Sequence, residues 1–136
     1  MSLGLEEKAR FRFYKMPPAE RYNALDRLRR WFEGRDEALL VVVFGSFLTN
    51  LEFRDIDIAV YTAGKVDHLR YKFEVDEALE KLLGIPVDTK VLEAAPQWFV
   101  AKALSEGKVL VEKVPNIAGK TLATALDQLA KLKDVS

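Results

Sequence analysis

The sequence predicts an α/β (α+β) domain in which a mixed sheet of about four strands carries helices on one side. Short β-branched runs alternate with segments whose apolar residues recur every three or four positions. The order is helix, strand, strand, helix, strand, helix, strand, helix. A short connection favours antiparallel pairing of the first two strands, whereas the helix-bearing connection after the second can return the third strand parallel to it. Because 136 residues is the length of a single domain, we expect residues 1–136 to form one unit.

Prolines and glycines mark the limits of these elements. Pro17 and Pro18 suit the first turn of a helix, and Gly34 suits its end. We expect an irregular or partly extended arm over 1–16, helices over 17–33, 69–83, 96–106 and 116–136, and strands over 39–44, 55–61, 87–92 and 108–114.

Large apolar residues define the period of two of these helices. Leu69 and Phe73 are among them in the second helix, and Leu126 and Leu132 in the last. An apolar stripe at this spacing is typical of a helix that packs one face on a core.

Composition limits the location and the partners. The chain has 21 basic and 21 acidic residues, so its balance does not indicate a protein that grips long nucleic acid, although it permits a nucleotide ligand. It has no cysteine, which excludes disulfides and thiolate metal sites and fits a reducing compartment. No apolar run approaches the roughly 18 residues of a membrane span. The charged N-terminus is unlike a signal peptide. We therefore expect a cytoplasmic protein without membrane attachment.

Two aspartates at alternate positions begin the second predicted strand. Asp55 and Asp57 point to the same face, with Ala59 and Tyr61 behind them, because strand side chains alternate with period two. Two carboxylates so close together repel each other unless a positive charge lies between them. A divalent metal ion is the obvious candidate.

The residues around this pair resemble a known family. The turn Gly45-Ser46, a short loop, the pair Asp55 and Asp57, and a later strand that carries Asp88 resemble the signature of the DNA polymerase beta-type nucleotidyltransferases, in their minimal nucleotidyltransferase (MNT) branch. The resemblance implies the polymerase beta-like fold. It also implies a Gly-Ser turn that holds a nucleoside triphosphate, and three aspartates that bind Mg²⁺ or Mn²⁺ and act in catalysis.

Two of the candidate residues have roles that the pattern leaves open. If its strand lies beside the second strand, Asp88 can complete the carboxylate cluster and help to deprotonate the attacking hydroxyl group. Arg54 directly precedes the first aspartate. It either pairs with a nucleotide phosphate or neutralises the carboxylates.

The resemblance leads to a functional hypothesis and two alternatives. The favoured function is metal-dependent transfer of a nucleoside monophosphate, AMP from ATP by analogy with the family, to a hydroxyl of a protein, an RNA or a small molecule. The first alternative is an antitoxin-like partner of a helical HEPN-type protein. The second is a catalytically silent nucleotide binder, since the loop between Ser46 and Asp55 lacks the family's second glycine. A homodimer is compatible with each of them.

Other polar and aromatic residues have simpler interpretations. We expect Lys65 and Lys90 to be solvated charges and His68 to be exposed or to cap a helix. Trp31 and Trp98 are expected in the core or at an interface. The arginines of the first helix are expected to form a solvated face or to meet an acceptor.

Overall fold

The computed structural model describes residues 13–64 and 66–135. Most of the predicted arm, residues 1–12, and also Lys65, lie outside the described residues. The strands are β1 (Tyr14–Lys15), β2 (Ala38–Phe44), β3 (Glu52–Phe53), β4 (Ile56–Thr62), β5 (Val87–Val91) and β6 (Lys108–Glu112). The helices are α1 (Pro18–Glu33), α2 (Ser46–Thr49), α3 (His68–Leu83), α4 (Gln97–Glu106) and α5 (Ile117–Val135).

Four strands form the predicted mixed sheet, in the order β5-β4-β2-β6. β2 runs antiparallel to β4 and to β6, whereas β4 and β5 are parallel. The predictions of antiparallel pairing across the short connection and of parallel pairing across the helix-bearing connection are therefore confirmed. The register places Asp57 of β4 opposite Phe44 on one side and opposite Asp88 on the other.

Helices cover both faces of this sheet, so the expectation of helices on one side is wrong. Val41 and Val43 belong to a core that contains Leu28 and Phe32 of α1. Leu40 and Val42, on the opposite face of the same strand, pack with residues of α4 and α5, among them Val100 and Ala125. The physical reason is visible in β2, where every position is apolar, and a continuous apolar run needs cover on both sides.

The buried face of α3 contains only part of the apolar set that predicts this helix, which also includes Leu79. Tyr71, Val75 and Leu79, spaced four residues apart, are buried against the sheet. Leu69 and Phe73 lie on another face and remain 64% and 59% exposed. The segment has two overlapping apolar stripes, and packing on the sheet selects one of them.

In α5, the smaller Ala125 is buried while Leu126 and Leu132 are exposed.

Within the described part of the chain, no helix combines the length and the apolar character that a membrane crossing would require.

β5 forms one edge of the sheet, and carboxylates of α3 accept hydrogen bonds from two backbone amides of that edge. The outward N–H of Val87 donates to Glu80 Oε1 at 3.1 Å, and that of Thr89 donates to Asp76 Oδ1 at 2.9 Å. Two carboxylates one helical turn apart thus match two amides two residues apart on the strand. These two hydrogen bonds attach β5, the strand that carries Asp88, to α3.

Candidate active site

Three carboxylates converge at one end of the sheet. Asp55 immediately precedes β4, Asp57 is its second residue, and Asp88 lies at the paired position of β5. One oxygen of each side chain lies within 4.8 Å of the corresponding oxygens of the other two, and all three residues are half-buried. The structure therefore brings together the three aspartates that the sequence singles out.

Burial and the proximity of the other carboxylates raise the pKa values of two of these groups. Burial, followed by the charges of Asp55 and Asp88, raises the pKa of Asp57 to about 7. Burial and the charge of Asp88 also raise the pKa of Asp55. A cluster that resists ionisation in this way favours a cation among its oxygens. Three carboxylate donors fit the oxygen preference of Mg²⁺ or Mn²⁺, so the residues present can hold such an ion.

Gly45 lies directly against the carboxylate cluster. Its φ of 82° lies in the left-handed region, which favours glycine. A Cβ atom built at this position would collide with Oδ2 of Asp57. The turn after β2 therefore passes directly over the cluster. Ser46, the first residue of α2 and half-buried, directly follows this turn.

A prediction follows for Gly45→Ala. The added methyl group should displace the Asp57 carboxylate and so weaken binding of both Mn²⁺ and ATP, which isothermal titration would measure. Gly64→Ala is a matched control, because Gly64 has a φ of 83° but no atom within 4 Å of the added carbon. Both variants incur backbone strain of about 1 kcal/mol or more. Equal Mn²⁺ affinities in the two variants would contradict the steric explanation.

Both roles considered for Arg54 are compatible with its position. Its positive charge opposes the rise in the pKa of the neighbouring Asp55, so it partly neutralises the cluster. The guanidinium also lies 5.7 Å from the ring centroid of Phe13. Arg54 is exposed, and this leaves it accessible to a phosphate.

Two lysines meet Asp88, and the sequence interpretation missed the more important one. Lys72 of α3 donates from Nζ to Asp88 Oδ1 at 2.7 Å and to Asp76 Oδ2 at 2.8 Å. Lys90, expected as a solvated charge, is 46% exposed but lies 3.6 Å from the same oxygen of Asp88. The contact of Lys72 depends on how α3 packs on β5. The only local signal for it was the spacing of Lys72 and Asp76.

Arg21 was also missed, because it was counted among the arginines of a solvated face. Its guanidinium donates to the backbone oxygens of Phe47 at 2.6 Å and Leu51 at 2.7 Å, and to that of Met16 at 2.9 Å. It thereby ties α1 to the loop between Ser46 and Asp55. Within this loop, the two-residue strand β3 pairs with β1. The loop is held in place although it lacks the family's second glycine.

The remaining residues follow the simpler interpretations in part. Asp67, not His68, caps α3 by accepting the N–H of Arg70 at 3.1 Å. Trp31 packs against the core, whereas Trp98 is 60% exposed.

An apolar groove of about 410 Å³ lies beside the carboxylate cluster. Its lining includes Trp98 and Leu69, and also Lys72 and Lys90, both of which contact Asp88. Two of the side chains that line the groove therefore also contact the third aspartate.

Comparison with known proteins identifies the class. The family described as "Polymerase beta, Nucleotidyltransferase" matches residues 26–116. The chain therefore belongs to this nucleotidyltransferase family. A protein of Methanocaldococcus jannaschii named "Putative protein adenylyltransferase MJ0128" is 34% identical over 73 residues, which are 52% of this chain and 74% of that protein.

Several solved structures share the fold of this chain. A crystal structure of the toxin–antitoxin pair MntA–HepT matches with a TM-score of 0.69 at 19% identity, over 83% of this chain and 90% of that one. A structure of a tri-AMPylated Shewanella oneidensis HEPN toxin in complex with an MNT antitoxin contains a chain that matches with a TM-score of 0.69 at 20% identity. The match covers 84% of this chain and 90% of that one. A toxin–antitoxin structure with AMP-PNP matches with a TM-score of 0.67 at 24% identity, over 82% and 89%. At these identities the similarity is one of fold.

Proposed function

We propose that this protein transfers AMP from ATP to a hydroxyl group of a partner protein and releases pyrophosphate. The observation that carries the proposal is the convergence of Asp55, Asp57 and Asp88 beneath the turn at Gly45. The family match supports nucleotidyl transfer. The name of the M. jannaschii relative supports an adenylyl group and a protein acceptor.

The three aspartates would hold Mg²⁺ or Mn²⁺, which supplies charge stabilisation for the attacking and leaving oxygens of the reaction. In this proposal the turn at Gly45 and Ser46 binds the triphosphate, and Arg54 adds positive charge beside it. Asp88 accepts the proton of the attacking hydroxyl. A bond forms between that oxygen and the α-phosphorus, the bond from the α-phosphorus to the β-phosphate oxygen breaks, and pyrophosphate carries away the electron pair.

The strand order supports a side from which the acceptor approaches and a side towards which pyrophosphate leaves. An in-line displacement requires the attacking and leaving oxygens on opposite sides of the phosphorus. Across the sheet, the Gly45 turn follows β2, Asp57 lies on the middle strand β4, and Asp88 lies on β5. Pyrophosphate would therefore leave towards Ser46, and the acceptor would approach from the side of Asp88. The apolar groove lies on that same side.

We further propose a HEPN-type protein as the acceptor. The tri-AMPylated HEPN toxin in one of the matching structures supports this choice. The exposed apolar side chains of Leu69 and Trp98, which line the groove, offer a surface on the acceptor side. The same surface is compatible with the alternative in which the chain covers such a partner without modifying it.

Label transfer separates these functions. The protein is co-purified with the HEPN-type protein that it binds, and it is incubated with Mg²⁺ and either α- or γ-labelled ATP. Adenylylation should transfer the α-label to the partner, raise the partner's mass by one AMP unit, and leave the γ-label in pyrophosphate. A stable complex that acquires no label with Mg²⁺ or Mn²⁺ would favour the covering role. A labelled partner in the γ-experiment would contradict nucleotidyl transfer.

A further inference from the structure

Lys72 closes a ring of contacts behind the third aspartate. Its ammonium group lies 2.7 Å from Asp88 Oδ1 and 2.8 Å from Asp76 Oδ2. The other oxygen of Asp76 accepts the N–H of Thr89, the residue that follows Asp88, at 2.9 Å. The ring therefore links α3 to β5 twice, once through the backbone and once through the side chain of Asp88.

This ring fixes the position of the ammonium group. The side chains of Lys72 and Asp76 are only 25% and 15% exposed, and Asp76 lies outside the group of three converging aspartates. If the carboxylate of Asp88 turns towards a cation, Lys72 can follow it only by breaking the contact with Asp76. Lys90 also approaches Asp88, but at the longer distance of 3.6 Å and with a more exposed side chain that can turn to solvent.

We propose that Lys72 is the internal counter-ion of the three-aspartate cluster and a positioning residue for Asp88, and that it opposes the binding of a divalent cation until a nucleotide is bound. The proposal rests on the metal site of the proposed function. A cation bound by the aspartates would lie close to the ammonium group that Lys72 holds against Asp88. The repulsion between the two positive charges lowers the affinity of the site for the cation. A triphosphate adds negative charge on the other side and offsets the repulsion. Metal and nucleotide would therefore enter the site together.

The test is a Mn²⁺ titration of the nucleotide-free protein at constant pH, with free Mn²⁺ measured by its paramagnetic resonance signal. Lys72→Met should bind Mn²⁺ more tightly, by about tenfold. Asp76→Asn leaves an acceptor for the Thr89 amide but removes a negative charge, so it should bind Mn²⁺ more weakly than the parent. A purely structural role of the ring would instead weaken Mn²⁺ binding in both variants.

Lys81→Met is the matched control. Lys81 pairs with Glu77 on the same helix at 3.1 Å, so this variant loses the same unit of charge and an equivalent helical pair. Its Mn²⁺ affinity should equal that of the parent. Lys72→Arg, which keeps the charge, should also remain close to the parent.

Two further measurements complete the test. Lys72→Met should melt below the parent in chelator, because Asp76 and Asp88 lose their shared cation, and it should recover more stability than the parent when Mn²⁺ is added. A non-hydrolysable ATP analogue should increase Mn²⁺ affinity less in Lys72→Met than in the parent.

Two outcomes would overturn the proposal, and they differ in what they imply for the proposed function. If the parent binds Mn²⁺ but Lys72→Met binds it no more tightly than Lys81→Met, the counter-ion role alone is wrong. If the parent binds no Mn²⁺ with or without nucleotide, the metal site itself is wrong, and the counter-ion role fails with it.

Discussion

Asp57→Asn is expected to lower the rate of AMP transfer by about a thousandfold or more while the protein remains folded. Asp57 lies on β4 between the Gly45 turn and Asp88, so its carboxylate is the central member of the cluster. Asparagine keeps the shape but not the negative charge that a divalent cation requires. The measurement is the initial rate of α-label transfer to the partner at saturating ATP and Mg²⁺.

Asp127→Asn is the matched control for that substitution. Asp127 is an exposed residue of α5 that pairs with Lys131 at 3.1 Å, and its replacement removes the same charge. We expect the control to transfer AMP at the rate of the parent. If Asp57→Asn retained most of the activity, the three-aspartate mechanism would be wrong.

In chelator, the same Asp57→Asn variant should melt above the parent at pH 8. The pKa of Asp57 in the metal-free protein is raised to about 7, so keeping this group ionised costs folding free energy. The shift corresponds to roughly 4 kcal/mol at most, and the partial exposure of the side chain reduces it to about 1–2 kcal/mol. That difference corresponds to roughly 3–8 °C in melting temperature for a domain of this size.

The pH dependence has a definite sign. An acid whose pKa is higher in the folded protein than in the unfolded chain binds a proton on folding, so its penalty disappears as the pH falls from about 7 towards 4. The advantage of Asp57→Asn should therefore shrink over this range. Melting curves in chelator at pH 8, 6.5 and 5 would measure it. A variant that melts far below the parent at pH 8 would show that Asp57 has a structural role instead.

Adding Mn²⁺ should reverse the order at pH 8. A ligand present at about 100 times its dissociation constant adds roughly 2.7 kcal/mol to the stability of the protein that binds it. The parent should gain several degrees and Asp57→Asn should gain little. Equal gains would mean that Asp57 is not a metal ligand.

The central part of the site could be predicted from the sequence because it depends on local rules. Asp55 and Asp57 share a face through the period of a strand, and Asp88 lies beside them because a helix returns its strand parallel to β4. The contacts of Lys72 and Arg21 could not be predicted in the same way. Each depends on the rotation of a helix about its own axis, and several rotations satisfy the apolar pattern of α3.

Gly45 shows a second limit of the sequence pattern. The glycine was assigned to the turn that approaches the phosphates, and this role remains a proposal. The structure adds a reason within the protein, since a side chain at this position would collide with Asp57. A single sequence identifies where a glycine stands but not which neighbour excludes its Cβ. That neighbour is in another strand.

The covered edge of β5 has a consequence for assembly. Strand addition by another chain needs free amides and carbonyls along an edge. On β5 the amides of Val87 and Thr89 are already taken by Glu80 and Asp76, whereas β6 forms the opposite edge of the four-stranded sheet. Strand addition to the four-stranded sheet is therefore disfavoured along β5, the edge that carries Asp88.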